Sequence, residues 1–530
     1  MKRILLPLLI LSIFAASMSA QRGNNIDARK LQLALYAISN LYVDSTSETK
    51  LVEDAIVGML EKLDPHSTYT DPEETKEMTE PLQGNFDGIG IQFNMLTDTL
   101  YVIQVIPGGP SEKVGLMAGD RIIMVDDTLI AGVKMKNTDV MKRLRGPKNT
   151  EVRVKVLRGG VPDLIEFKIT RGKIPVYSLD AAYMADKTTG YIKLNRFAAS
   201  SADEFREALE KLKKQGMKNL ILDLQGNGGG YLNIAIDLAD EFLGKDKLIV
   251  YTEGNKQPRE EAKSSARGGF EEGRLVVLVD ETSASASEIL SGAVQDWDRG
   301  VVVGRRTFGK GLVQKPIPMP DGSMIRLTVA RYYTPTGRSI QKPYVNGNQE
   351  QYNHDLIDRY NRGELMSADS IHFPDSMKYN TLETKRIVYG GGGIMPDVFI
   401  PVDTSRYTDY HRSVVAAGLG NRIAMNYLDR HRAELNKKYP KFAQYKQNFN
   451  VTDDIMQELV TLAKDDKIEF NEEQYNRSKP LIMLQIKALI ARDLYDMAEY
   501  FQVINDDNES FQEALRLIND EQRYKKELGR

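Results

Sequence analysis

Leu275-Val276-Val277-Leu278-Val279-Asp280-Glu281-Thr282-Ser283-Ala284-Ser285-Ala286-Ser287-Glu288 runs from an apolar strand straight into a serine-rich helix start. The same alternation appears on both sides. Upstream, Tyr191 to Phe197 reads as a strand, Ser201 to Gln215 as a helix, and Leu220 to Leu224 as a buried strand. Downstream, Val301 to Val303 and Ile325 to Tyr333 read as further strands. Strand and helix in turn are the rhythm of an α/β fold. A serine at a strand-to-helix turn exposes its hydroxyl beside the helix N-terminus, where backbone N–H groups can stabilise an oxyanion. Ser285 with Glu288 also reads as a plain capping box, which needs no chemistry at all.

Three other segments carry candidate chemistry. In Phe308-Gly309-Lys310-Gly311-Leu312-Val313-Gln314 the flanking glycines allow a tight turn that brings the lysine close to another group. A desolvated lysine, neutral near working pH, can act as a general base. Gln314 stands where it can orient that amine. Gly304, Gly309 and Lys310 also match the spacing of a phosphate-binding loop, but Gly311 replaces the required Ser or Thr, and Pro316 and Pro318 forbid the helix that should follow. Asp223-Leu224-Gln225-Gly226-Asn227-Gly228-Gly229-Gly230 ends a buried strand, and its glycine N–H groups can face a ligand or an oxyanion. Phe86-Asp87-Gly88-Ile89-Gly90-Ile91 opens a segment of short, glycine-punctuated strands. There Gly88 and Gly90 can present backbone donors to a terminal carboxylate, and the strand from Ile89 can pair with an extended peptide.

Composition narrows the classes. The chain has 530 residues, long enough for several domains, and its 41% hydrophobic and 27% charged residues are ordinary for a globular protein. A net charge of −3 gives no case for nucleic acid bound through bulk charge. Cysteine is absent, which excludes thiol nucleophiles, disulfides and thiolate metal sites. The five histidines, His66, His354, His372, His411 and His431, lack HExxH spacing, which argues against a zinc protease. No metal or other cofactor is expected.

Lys2 and Arg3, the apolar run Ile4 to Ala16 and the small residues Ser17, Ser19 and Ala20 read as an export signal spanning residues 1–20. Periplasmic location is the expectation, with secretion as the alternative and no stable membrane insertion after cleavage. A helical region occupies 21–83, closed by the turn Asp64-Pro65-His66-Ser67. Residues 84–173 are the β-rich segment and 174–403 the α/β core, in which polar 344–389 reads as an irregular insertion. Residues 404–530 are charged and helical, with Pro480 expected in the first turn of a helix.

Taken in order, these motifs resemble the carboxyl-terminal processing peptidases, or tail-specific proteases. Gly84 to about Lys173 resembles a PDZ domain, with Gly88, Ile89, Gly90 and Ile91 at the carboxylate-binding loop. Leu63 to Ser67, Asp223 to Gly230, Ser283 to Glu288, Phe308 to Gln314, Tyr333 to Arg338 and Ile394 to Asp397 carry the rest of the likeness, about two-thirds of the chain. The resemblance implies a crotonase- or Clp-protease-like core with an inserted PDZ domain. It implies Ser285 as nucleophile, 25 residues before Lys310 as general base, with Gln314 positioning the lysine. Ala286 and Gly229 N–H groups would form the oxyanion hole. Protein or peptide C-terminal tails, apolar ones preferred, would be the substrates. Gln225 departs from the family, whose turn usually has Arg there. The C-terminal helices suggest a homodimer or adaptor contact, or a structural cap. A catalytically silent scaffold that binds C-termini is the rival reading.

Overall fold

Leu275–Val279 lies inside a six-stranded sheet ordered Leu179–Met184, Thr189–Leu194, Asn219–Asp223, Leu275–Val279, Val301–Gly304 and Val398–Phe399. The first pair is antiparallel and the remaining neighbours are parallel. Every residue of Leu275–Val279 is buried, because helices cover both faces of the sheet. Helices Ser201–Lys214, Leu232–Asp240 and Ala286–Asp296 pack Phe205, Leu209, Leu238 and Leu290 on one face. On the other, Glu509–Asn519 and Glu521–Glu527 set Phe511, Leu517, Ile518 and Tyr524 against Tyr191, Ile221, Val276 and Val303. The Tyr524 hydroxyl also bonds both the N–H and the carbonyl of Leu275, at 3.0 and 2.9 Å. The last helices therefore cap the core sheet of their own chain.

This computed structural model describes residues 26–96 and 98–530, so the expected signal at 1–20 lies outside the described residues. The sheet belongs to the larger of two units, formed by 73–315, 328–343 and 353–530. Within it, the expected PDZ segment forms a sheet ordered Ile91–Leu96, Thr99–Val105, Arg121–Val125, Glu151–Leu157 and Ile165–Thr170, with helix Asn137–Leu144 beside it. Leu100, Val102, Ile122, Val140, Leu144 and Val154 fill its core. Six helices from Asp409–Ala416 to Met497–Ile504 build a separate apolar core around Leu428, Tyr445, Leu459 and Ile486.

Two local expectations are corrected. Pro480 does not open a helix; it sits within Glu472–Leu494, which starts at the Asn471 cap, whose side chain accepts from Gln474 N–H. The cap and the helix's buried residues, Leu481, Ile482 and Ile486 among them, outweigh one missing backbone bond. The polar stretch 344–389 is more ordered than its composition suggests. It contains helix Gln349–Asn361 and the hairpin Lys378–Asn380 with Ile387–Tyr389. The two buried residues of its helix are Tyr352 and the charged Arg359, so hydrophobic periodicity does not reveal it.

The smaller unit comprises, among the described residues, 26–72, 316–327 and 344–352. Its helices are Ile26–Leu41 and Glu48–Leu60, and its strand Thr68–Thr70 pairs antiparallel with Met324–Arg326. The turn before that strand is held by Asp64, whose carboxylate accepts from His66 N–H, Ser67 N–H and the Ser67 hydroxyl.

Candidate active site

Ser285 stands between strand Leu275–Val279 and helix Ala286–Asp296 with φ 56° and ψ −112°. A non-glycine residue holds such a backbone only where its surroundings impose it. Here the neighbours are identifiable. The buried Glu288 carboxylate accepts the Ser285 N–H at 2.8 Å, and the Glu288 N–H bonds the Ser285 carbonyl at 2.9 Å. The flanking serines have other partners: Ser283 Oγ donates to Leu224 O and Ser287 Oγ to Asn227 O, both at 2.8 Å. Ser283 and Ser287 are buried, whereas Ser285 is partly exposed.

Glu288 also grips the lysine loop. Its Oε1 accepts the Thr307 hydroxyl at 2.5 Å and Gly309 N–H at 2.7 Å, while its Oε2 accepts Lys310 N–H at 2.9 Å. One carboxylate thus ties the backbone of Ser285 to that of Lys310. Burial raises the Glu288 pKa, and these hydrogen bonds oppose the rise by favouring the anion. Tyr332 adds a second tie, its hydroxyl meeting the Ser285 carbonyl at 3.2 Å and also the Lys310 carbonyl. The flanking glycines have a steric reason. A Cβ on Gly309, where φ is +89°, would lie 3.0 Å from Lys342 Cβ, and one on Gly311 would lie 2.9 Å from Gln341 N. Lys310 and Gln314 are both partly buried, Gln314 on the strand Leu312–Pro318 that leaves the loop.

The turn Asp223 to Gly230 packs directly against the serine. A Cβ on Gly229 would lie 2.9 Å from Ser285 Cβ and 3.0 Å from Ala286 N, so only glycine permits this approach. Gly229 N–H, expected as an oxyanion donor, is engaged by Asn227 Oδ1 at 2.8 Å. Ala286 N–H is the first of its helix and has no intrahelical partner. Asn227 joins the two segments: its carbonyl accepts from Ala284 N–H and Ser287 Oγ, and its Nδ2 donates to Leu194 O. Asp223 holds the start of the turn through the Tyr191 hydroxyl, Lys193 and Gln225 N–H. The Gln225 side chain, where the family usually has Arg, meets Asn508 from the C-terminal region.

In the PDZ segment, Gly88, Ile89 and Gly90 are buried and Ile91 is half-buried. Ser111 N–H bonds Ile89 O and Ile106 N–H bonds Gly90 O, fixing the loop just ahead of strand Ile91–Leu96. That strand is an edge of its sheet, the geometry a peptide needs to add as a further strand.

The sequence shows Glu288 only as a helix cap and assigns no role to Asn227, Thr307 or Tyr332, whose partners are distant in the chain. Among the described residues, no group of His, Asp and Glu forms a metal-holding cluster, and no helix is long and apolar enough to cross a membrane.

The chain is similar in sequence to known proteins. Residues 188–350 match peptidase family S41, 88–169 match the PDZ domain, 13–75 the activating protease CtpB N-terminal domain, and 410–496 a family of unknown function. A carboxy-terminal-processing protease of Bartonella bacilliformis is 38% identical over 306 residues, covering 57% of this chain and 69% of its own length. The carboxy-terminal processing protease CtpB of Bacillus subtilis is 35% identical over 336 residues, covering 62% and 68%. Among solved structures, a photosystem II D1 C-terminal processing protease aligns at 30% identity with a TM-score of 0.33, covering 58% of this chain and 89% of that one. The expected fold, a peptidase α/β core with a PDZ domain and helical terminal regions, is borne out.

Proposed function

This chain belongs to the carboxy-terminal processing proteases of peptidase family S41, and on that premise we propose that it is an exported endopeptidase using a Ser285–Lys310 dyad. The observation that carries the proposal is the Glu288 carboxylate, which bonds the N–H groups of Ser285 and Lys310 together. The PDZ domain captures the C-terminal tail of a protein substrate, its carboxylate at Gly88 to Ile91 and its chain added along the free edge of Ile91–Leu96.

Neutral Lys310, oriented by Gln314, takes the Ser285 proton as Oγ attacks the peptide carbonyl. The tetrahedral oxyanion lies against Ala286 N–H. Gly229 N–H becomes the second donor by exchanging Asn227 Oδ1 for the oxyanion. Protonated Lys310 gives its proton to the leaving amine, and water, deprotonated by the same lysine, then hydrolyses the acyl ester. The chemistry needs neither nucleotide nor metal.

The test is cleavage of an unfolded protein with an apolar C-terminal tail, with EDTA and without ATP, by wild type, Ser285→Ala and Lys310→Ala. Cleavage by wild type alone is the expected result. Equal cleavage by all three overturns the dyad, and tail binding with no cleavage by any of them favours a scaffold.

A further inference from the structure

We propose that Arg359, on helix Gln349–Asn361, is a positioning residue for the general base, holding the loop that carries Lys310. The inference rests on reading Lys310 as the base. Arg359 is 1% exposed, and its guanidinium donates to Thr307 O at 3.1 Å and Arg306 O at 2.6 Å. Glu288 grips the next residues from the opposite polarity, accepting the N–H groups of Gly309 and Lys310. Carbonyls at the start of the loop thus face a buried cation, and amides at its end face a buried anion. Charge-assisted bonds of both kinds are stronger than neutral ones and leave the loop little freedom.

The same helix holds the loop a second way. Asp355, one turn before Arg359, takes Lys342 Nζ at 3.0 Å, and that ammonium lies 4.0 Å from the Phe308 ring centroid. Lys342 N–H in turn bonds Gly309 O at 2.9 Å. Arg306 to Gly309 are therefore all held by this helix or by its partner Lys342. The peptidase match ends at residue 350, so Asp355 and Arg359 lie beyond it. The polar stretch is a brace for the catalytic loop. Glu364 lies 3.6 Å from Arg359 Nε and is shared among three cations, bonding Arg306 and Arg362 more closely.

The experiment compares full-length wild type, Arg359→Ala, Arg359→Lys and Lys310→Ala on the tailed substrate, with hydrogen exchange followed across residues 307–311. For Arg359→Ala, kcat should fall about 10- to 100-fold, as expected for a base displaced by a fraction of an ångström to an ångström, with KM within about twofold. Millimolar guanidinium should restore part of kcat, and amide exchange at Gly309 and Lys310 should speed up. Arg359→Lys, which reaches one carbonyl, should lie between the two. Unchanged kcat, a rise confined to KM, or unchanged exchange in folded Arg359→Ala overturns the proposal. If the Ala variant does not fold, wild-type kcat in Arg359→Lys overturns it. Activity retained by Lys310→Ala refutes the base assignment instead, and faster exchange in Arg359→Ala would then still establish the brace.

Discussion

Glu288→Gln is the most demanding perturbation of this site. The carboxylate accepts four donors: Ser285 N–H and Lys310 N–H on one oxygen, the Thr307 hydroxyl and Gly309 N–H on the other. Glutamine keeps the shape but supplies a single acceptor oxygen. Its better orientation turns the NH2 towards Thr307, whose hydroxyl can reverse, and leaves Gly309 N–H facing another donor. An unpaired buried N–H costs about 1–3 kcal/mol. Loss of the hydroxyl's acceptor adds to that, and removal of a buried charge offsets part of it. A net loss of about 2–3 kcal/mol should lower Tm by roughly 4–12 °C for a domain of this size. Activity should suffer more, because the repelled amide belongs to the residue before Lys310; kcat should fall on the order of 100-fold. Glu288→Asp, shorter by a methylene, should also fail to span both segments. Thermal melts, urea titration and kcat on the tailed substrate measure these effects. A Gln variant with wild-type Tm and kcat would refute the reasoning, and so would loss of kcat without any loss of stability.

Gly229→Ala should abolish cleavage while leaving tail binding intact, because its methyl would lie 2.8 Å from Ala284 O and 2.9 Å from Ser285 Cβ at a φ of +102°; a binding and turnover assay on one preparation separates the two. Ser287→Ala should cost about 1 kcal/mol by deleting the bond to Asn227 O yet retain activity, as read by urea titration beside a cleavage assay. Burial holds the His411 pKa below its usual 6.5, although Gln485 opposes the shift. The folded state then binds fewer protons than the unfolded one, so this contribution is present above pH 6.5 and is lost as the pH falls through that value towards the lower folded pKa. Melting temperatures should drop on acidification across that window, and less so in His411→Gln.

Much of the architecture is local in origin. Val and Leu runs such as Leu275 to Val279 require burial wherever they sit, and helix starts and glycine turns around them mark the alternation. The serine, lysine and glycine segments are recognisable because their order and spacing resemble those of the carboxyl-terminal processing peptidases. What remained hidden depends on partners far away in the chain. Polar stretch 344–389 shows no clear apolar stripe, because the inward side of its helix mixes Arg359 and Asp355 with Tyr352 and Leu356. The C-terminal helices read as amphipathic in isolation, and only the sheet face they meet makes Phe511, Leu517 and Tyr524 part of the peptidase core.

By itself the sequence determined the α/β rhythm of the core, which follows from periodicity and turn chemistry, while the PDZ-like segment and the candidate groups were legible through the family resemblance that their motifs carry. Tertiary structure alone decided how three serines in one short run differ. Ser283 and Ser287 find the carbonyls of Leu224 and Asn227, which another strand brings beside them. Ser285 is held instead by its backbone, in a conformation that Glu288 helps impose. Tertiary structure likewise turned a helix-capping glutamate into the link between Ser285 and Lys310, because a buried carboxylate must find donors and the loop at 307–310 supplies them.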